Sequence, residues 1–184
     1  RRPPISTLFP YTTLFRSTCP GVIFIGDKTA TFDAAKVERA ALQEAVSHAR
    51  SRKNMVKLDG GEWVFLDGLA AYKRWAEDFR NPEKLRGPGD AYCYGVYRAT
   101  HRAAAGFLRE IAKKHPKAEN RLLEAAQFFT TEAGILDRGE AYLWWNSPEG
   151  PDTARNLAAS ELLADACHQF AQGIKEIETA LIAL

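Results

Sequence analysis

Cysteine, histidine and long apolar runs are all scarce in this sequence, and each scarcity removes a class of function. The three cysteines among 184 residues, Cys19, Cys93 and Cys167, stand at no recognisable spacing, which excludes a disulfide framework and points to reduced thiols in a cytoplasmic setting. No run of eighteen apolar residues is present, so no helix is expected to span a membrane. The four histidines, His48, His101, His115 and His168, are scattered and form no HExxH pair. There is no Gly-rich phosphate loop, no Ser-centred elbow and no paired-carboxylate motif. Low-complexity tracts and internal repeats are missing as well.

The opening stretch is foreign to the rest. Thr7-Leu-Phe-Pro-Tyr-Thr-Thr-Leu-Phe-Arg-Ser17 back-translates in one frame to a common short-read sequencing adapter. Arg1-Arg-Pro-Pro4 continues the same primer, and Ile5 departs by one base. Residues 1–17 are therefore expected to be adapter-derived and unstructured, with the natural protein starting near Thr18 and shortened at its N-terminus. Setting aside Arg1, Arg2 and Arg16 lowers the 25 Lys and Arg to 22, against 23 Asp and Glu. That balance offers no global electrostatic case for binding nucleic acid or a membrane surface.

What is present is mostly helical periodicity. Gly21-Val-Ile-Phe-Ile-Gly26 reads as a short buried strand. Asp33 offers an N-cap for a helix over 34–52, with Val37, Ala41, Leu42, Ala45, Val46 and Ala49 as its stripe. Met55-Val56 and Trp63-Val64-Phe65 can be strand pieces around a Gly60-Gly61 turn. Asp67 then caps a helix over 68–80, which faces Leu69, Tyr72, Ala76 and Phe79 inward with Trp75 at the edge. Residues 81–90 read as a loop. Asp90 caps a long helix over 91–114, with Cys93, Val96, Thr100, Ala103, Phe107 and Ile111 as its apolar stripe. A helix over 117–137 buries Leu122, Ala126, Phe129, Ala133 and Leu136. After a helix end and loop over 138–151, the last helix carries Leu163, Cys167, Phe170, Ile174, Ile177, Leu181 and Leu184 on one seam. The expected class is mainly α, a bundle of about five helices preceded by a short strand region.

Few residues stand out as chemistry. Cys19 has no helix N-terminus or imidazole in view to lower its pKa, and Cys93 and Cys167 lie on apolar stripes where a small buried thiol packs. No catalytic residue is assigned. Glu44/His48 and Asp165/His168 are helically spaced pairs, so His48, His101 and His168 could together hold a metal in a helical-bundle enzyme; the expectation is nevertheless no metal and no cofactor. His115, before Pro116, suits a helix C-terminus. Among the aromatics Trp63, Tyr72, Trp75, Tyr92, Tyr94, Tyr97, Trp144 and Trp145, the candidates for a ligand pocket are Tyr72, Trp75, Tyr92 and Trp144.

Three stretches carry a resemblance: Gly21-Val-Ile-Phe-Ile-Gly-Asp-Lys28, Leu66-Asp-Gly-Leu-Ala-Ala-Tyr-Lys-Arg-Trp-Ala-Glu-Asp-Phe79, and Ala91-Tyr-Cys-Tyr94 leading to Arg102-Ala-Ala-Ala-Gly-Phe-Leu-Arg-Glu-Ile111. The tail Ile174-Lys-Glu-Ile-Glu-Thr-Ala-Leu181 fits the same pattern. Together they resemble the C-terminal half of bacterial proteins related to the N-terminal domain of butirosin-biosynthesis protein H, which has a papain-like cysteine acyltransferase or peptidase fold. The resemblance implies that 18–30 is the last strand of a thiol domain and 31–184 its helical accessory half. It also implies that the nucleophilic Cys, its His and its acidic partner precede residue 20. On that reading these residues are inactive alone, and their partner is the thiol domain. The rival expectations are a helical module that binds a small molecule or a partner through its aromatics, and the metal-dependent bundle.

Overall fold

The computed structural model describes residues 33–58, 61–148 and 150–184, with backbone alone over 53–58 and 63–65. The adapter-like stretch, Cys19 and the expected strand at 21–26 lie outside the described residues, as does the Gly60 turn. The fold is mainly helical, with six helices and one hairpin among the described residues.

α1, Ala34–Arg50, starts where Asp33 Oδ1 accepts a hydrogen bond from Lys36 N at 3.2 Å. β1, Lys53–Leu58, and β2, Gly61–Leu66, pair antiparallel with Lys53 opposite Leu66 and Leu58 opposite Gly61. α2, Gly68–Asp78, begins on the Asp67 cap, whose carboxylate accepts from Gly68 N at 2.9 Å. α3 spans Pro88–Ala112 and so starts three residues earlier than an Asp90 cap suggested. Gly87 is its N-cap and Pro88, with φ preset for a helix, its first residue; Asp90 sits in the first turn and accepts from Gly87 N at 2.8 Å. α4, Glu119–Asp137, is followed by the short α5, Glu140–Leu143. α6, Thr153–Ala183, is capped by Asp152 through Arg155 N at 2.9 Å.

α4 lies between α3 and α6, and α6 packs on its other flanks against α2 and α1. The expected seams of α2, α4 and α6 point inward: Tyr72, Phe79, Leu122, Phe129, Leu136, Leu163, Phe170 and Ile174 are all buried. Small residues set the helix separation. A Cβ on Gly173 would lie 2.8 Å from Phe129 Cε2, so glycine is what lets α6 approach α4.

The stripe read on α3 is turned away from the core. Cys93, Val96, Thr100, Ala103 and Phe107 are exposed and only Ile111 is buried. The buried face instead runs through Ala91, Tyr94, Ala105, Leu108 and Ala112. Its positions carry alanines, which allow close approach to α4 but barely register as apolar in a periodicity reading. Cys93 is thus exposed rather than packed in the core. Similarly, only Leu42 and Ala49 of the α1 stripe are buried, with Val46 half-buried and Val37, Ala41 and Ala45 exposed.

Buried polar groups close the loops that these helices leave. Asn156 Nδ2 donates to the carbonyls of Asn81, Pro82 and Lys84 at 3.3, 3.3 and 3.0 Å, fixing the α2–α3 connection onto α6. Tyr94 Oη donates to Leu136 O at 2.6 Å and so ties α3 to the end of α4.

Candidate functional site

The two outward apolar faces meet at a cavity. It has a volume of about 420 Å³, inside the range of about 300–1,000 Å³ usual for small-molecule sites. α1 contributes Ala41, Leu42 and Ala45 to one side, and α3 contributes Val96, Thr100 and Phe107 to the other. Phe129 of α4 and Phe170, Ile174 and Ile177 of α6 complete the wall. No Lys, Arg, Asp or Glu lines it. Burying a free charge in such a lining would cost several kcal/mol, so its walls select for uncharged matter.

One polar system reaches this wall. His101 Nδ1 lies 2.7 Å from Glu132 Oε1, and the Glu132 side chain is fully buried. The imidazole stacks on Phe170 at 4.8 Å and 18° and stands edge-on to Tyr97 and Phe129 at 4.9 and 5.7 Å. Four aromatic and carboxylate contacts therefore hold one ring orientation. Burial pushes the Glu132 carboxyl above its ordinary range, against the opposing pull of the His101 hydrogen bond. The Tyr72 phenol faces the same carboxyl and is pushed well above its ordinary value, first by burial and then by the Glu132 charge. Burial, with the nearby Cys93 thiol, pushes Tyr97 up to about 12. Tyr72 Oη and Glu132 Oε2 are buried without a hydrogen-bond partner of good geometry, so the polar system is incompletely satisfied.

α1 is the most lightly held wall. Its two buried side chains, Leu42 and Ala49, contribute about 2–4 kcal/mol of apolar burial. Ion pairs fasten it at both ends. Glu38 Oε2 is 2.9 Å from His115 Nε2 and is also paired with Lys114, while Arg50 holds Glu178 at 2.7 and 2.8 Å. Such part-exposed pairs contribute about 0–1 kcal/mol each. His115 thus meets a carboxylate on α1 rather than only a helix terminus.

The structure divides the four aromatic pocket candidates, and none of them lines the cavity. Tyr72 is fully buried against Tyr97, with ring centroids 4.8 Å apart. Trp75 is 6.1 Å from Tyr72, and its indole N–H donates to Asp90 at 2.9 Å. Tyr92 is 67% exposed, and Trp144 packs edge-on against Tyr94 at 5.9 Å. The cavity draws instead on Tyr97, Phe107, Phe129 and Phe170. The three candidate metal ligands have different partners, although His48 and His101 both line the cavity. His48 pairs with Asp67 at 3.1 Å, His101 with Glu132, and His168 lines a separate surface depression with Lys73 and Cys167. Among the described residues no three His, Cys, Asp or Glu side chains converge as a metal set.

Glu132 is the residue that sequence reasoning passed over. Its signal was present: it falls three residues after Phe129 and four before Leu136, a carboxylate inside an apolar stripe. His101 had the matching signal only on the correct face of α3, between Tyr94 and Leu108.

The thiols in view are not activated. Burial pushes Cys167 up to about 11, and partial burial and Asp90 raise Cys93. Among the described residues, no helix is long and apolar enough to cross a membrane. Compared with known proteins, the chain matches no family model, no curated protein sequence and no solved structure.

Proposed function

We propose that residues 33–184 form a helical small-molecule-binding module that holds an apolar group in the cavity between α1 and α3. One observation carries this reading. Two helices leave apolar faces exposed, and both faces border a single cavity without charged lining. The test is titration with the uncharged dye N-phenyl-1-naphthylamine. One dye per chain, with the blue-shifted emission of an apolar site, is the expected result. Ala45→Trp, at an exposed position on the α1 wall, should abolish dye binding and leave the unfolding free energy from urea titration within about 0.5 kcal/mol. Equal dye binding by the variant would locate the dye elsewhere and overturn the proposal.

A second reading is favoured by the thiols. Burial pushes the Cys93 and Cys167 thiols up, and among the described residues no histidine acts on either. That suits an accessory half of a papain-like thiol acyltransferase or peptidase, in which the reactive cysteine belongs to the partner domain. On this reading the cavity shapes the pocket for an acyl or peptide group. Iodoacetamide-sensitive turnover of thioester or peptide substrates by residues 18–184 alone would refute it.

A further inference from the structure

The binding reading leaves open what end group the cavity recognises, and the His101–Glu132 pair bears on that. Nδ1 faces Glu132 at 2.7 Å, and no described residue takes or gives a hydrogen bond at Nε2. The ring borders the cavity, and its Nε2, on the edge opposite Glu132, is not among the buried atoms left without a partner.

Charge bookkeeping then assigns the proton. The titratable groups around the pair are Tyr72 from α2, Tyr97 from α3, Cys167 from α6 and, at the cavity, His48 from α1. The two phenols and the Cys167 thiol are uncharged at neutral pH, and His48 is already paired with Asp67. Among the described residues, Lys73 acts on the Cys167 thiol, but no cation other than a protonated His101 acts on Glu132, so nothing else offsets a lone buried carboxylate. An uncompensated negative charge in an apolar wall is costly, so the pair as a whole retains a proton. It can do so in two ways. With an imidazolium beside a carboxylate, both ring nitrogens carry hydrogen. With a carboxylic acid donating to Nδ1, the neutral ring must carry its one hydrogen on Nε2. Both arrangements turn an N–H toward the cavity.

We infer that His101 offers its Nε2–H to the cavity as a donor, and that the cavity takes an uncharged apolar molecule ending in one hydrogen-bond acceptor, such as a ketone or ester carbonyl. This rests on the cavity being a binding site. An ammonium ligand would meet a donor with a donor. A carboxylate would restore the buried negative charge that the retained proton had cancelled.

The experiment uses the full chain and three probes of similar length, 2-decanone, decanoate and decylammonium, each displacing N-phenyl-1-naphthylamine at neutral pH. The ketone should bind about tenfold more tightly than either ion, and His101→Phe, which keeps the stacked ring, should erase that preference while still binding dye. Nitrogen NMR of the wild-type imidazole should show a protonated Nε2. Dye binding with no ketone preference, or an unprotonated Nε2, overturns the inference and leaves the cavity reading standing. Failure of the dye itself to bind removes both. If His101→Phe does not fold, the ligand order and the NMR signal of the wild-type chain decide.

Discussion

Truncating Phe170 tests the packing that carries both the bundle and the cavity. The ring is 8% exposed. It stacks on His101 at 4.8 Å and meets Phe129 and Tyr72 at 5.9 and 6.2 Å. Removing a buried Phe ring costs about 3–5 kcal/mol, the spread reflecting how far the surroundings relax. Part of this ring already borders the open cavity and has no atoms to lose on that side. The expected loss for Phe170→Ala is therefore the lower end, about 3 kcal/mol, or a fall of about 6–12 °C in Tm for a domain of this size. Phe170→Leu, which keeps most of the volume, should cost about 1–1.5 kcal/mol. Urea titration followed by helical circular dichroism measures both. A loss below about 1 kcal/mol for the alanine variant would mean that α6 is not seated on this ring, and the cavity wall built on Phe170 would have to be abandoned.

Gly68 has φ +51°, and a Cβ there would lie 2.4 Å from the carbonyl oxygens of His48 and Ala49, so Gly68→Ala should cost about 2–4 kcal/mol. Gly106→Ala is its control: nothing lies within 4 Å of the added Cβ, and a helical alanine should gain about 0.5–1 kcal/mol; equal effects at the two sites would contradict the geometry. Acid should loosen α1. Hydrogen bonds from Lys114 and His115 lower Glu38, and one from Arg50 lowers Glu178, both from an ordinary 4.5. The unfolded state therefore takes up protons first, and the stabilisation, complete above the ordinary value, is lost as pH falls below it; amide protection across α1 should hold above pH 4.5 and drop below it, and a flat profile would count against the pairs. At neutral pH, iodoacetamide should label exposed Cys93 slowly and buried Cys167 only after denaturant is added, as read by peptide mass spectrometry; rapid native labelling of Cys167 would refute its burial.

The local pattern settled much of the architecture by itself. Asp33, Asp67 and Asp152 stand where helix caps are needed, and each caps the helix after it. The seams of α4 and α6 were legible because Leu, Phe and Ile recur there at helical spacing on the faces that are buried. Local pattern could not orient α3. Its exposed side carries Val96 and Phe107, while its buried side relies on Ala91, Ala105 and Ala112. Periodicity measures how apolar a face is, not whether another helix covers it. The site had the same limit. Glu132 and His101 lie 31 residues apart on different helices, and only the packing of α3 on α4 brings them within 2.7 Å. Tertiary structure likewise tied Trp75 to the first turn of α3 through Asp90, left Tyr92 in solvent, and built the cavity from aromatics that read as core. A helix's spacing determines which residues share a face; which face meets a neighbour, and which is left to line a void, is decided by the separations and angles of all the helices together.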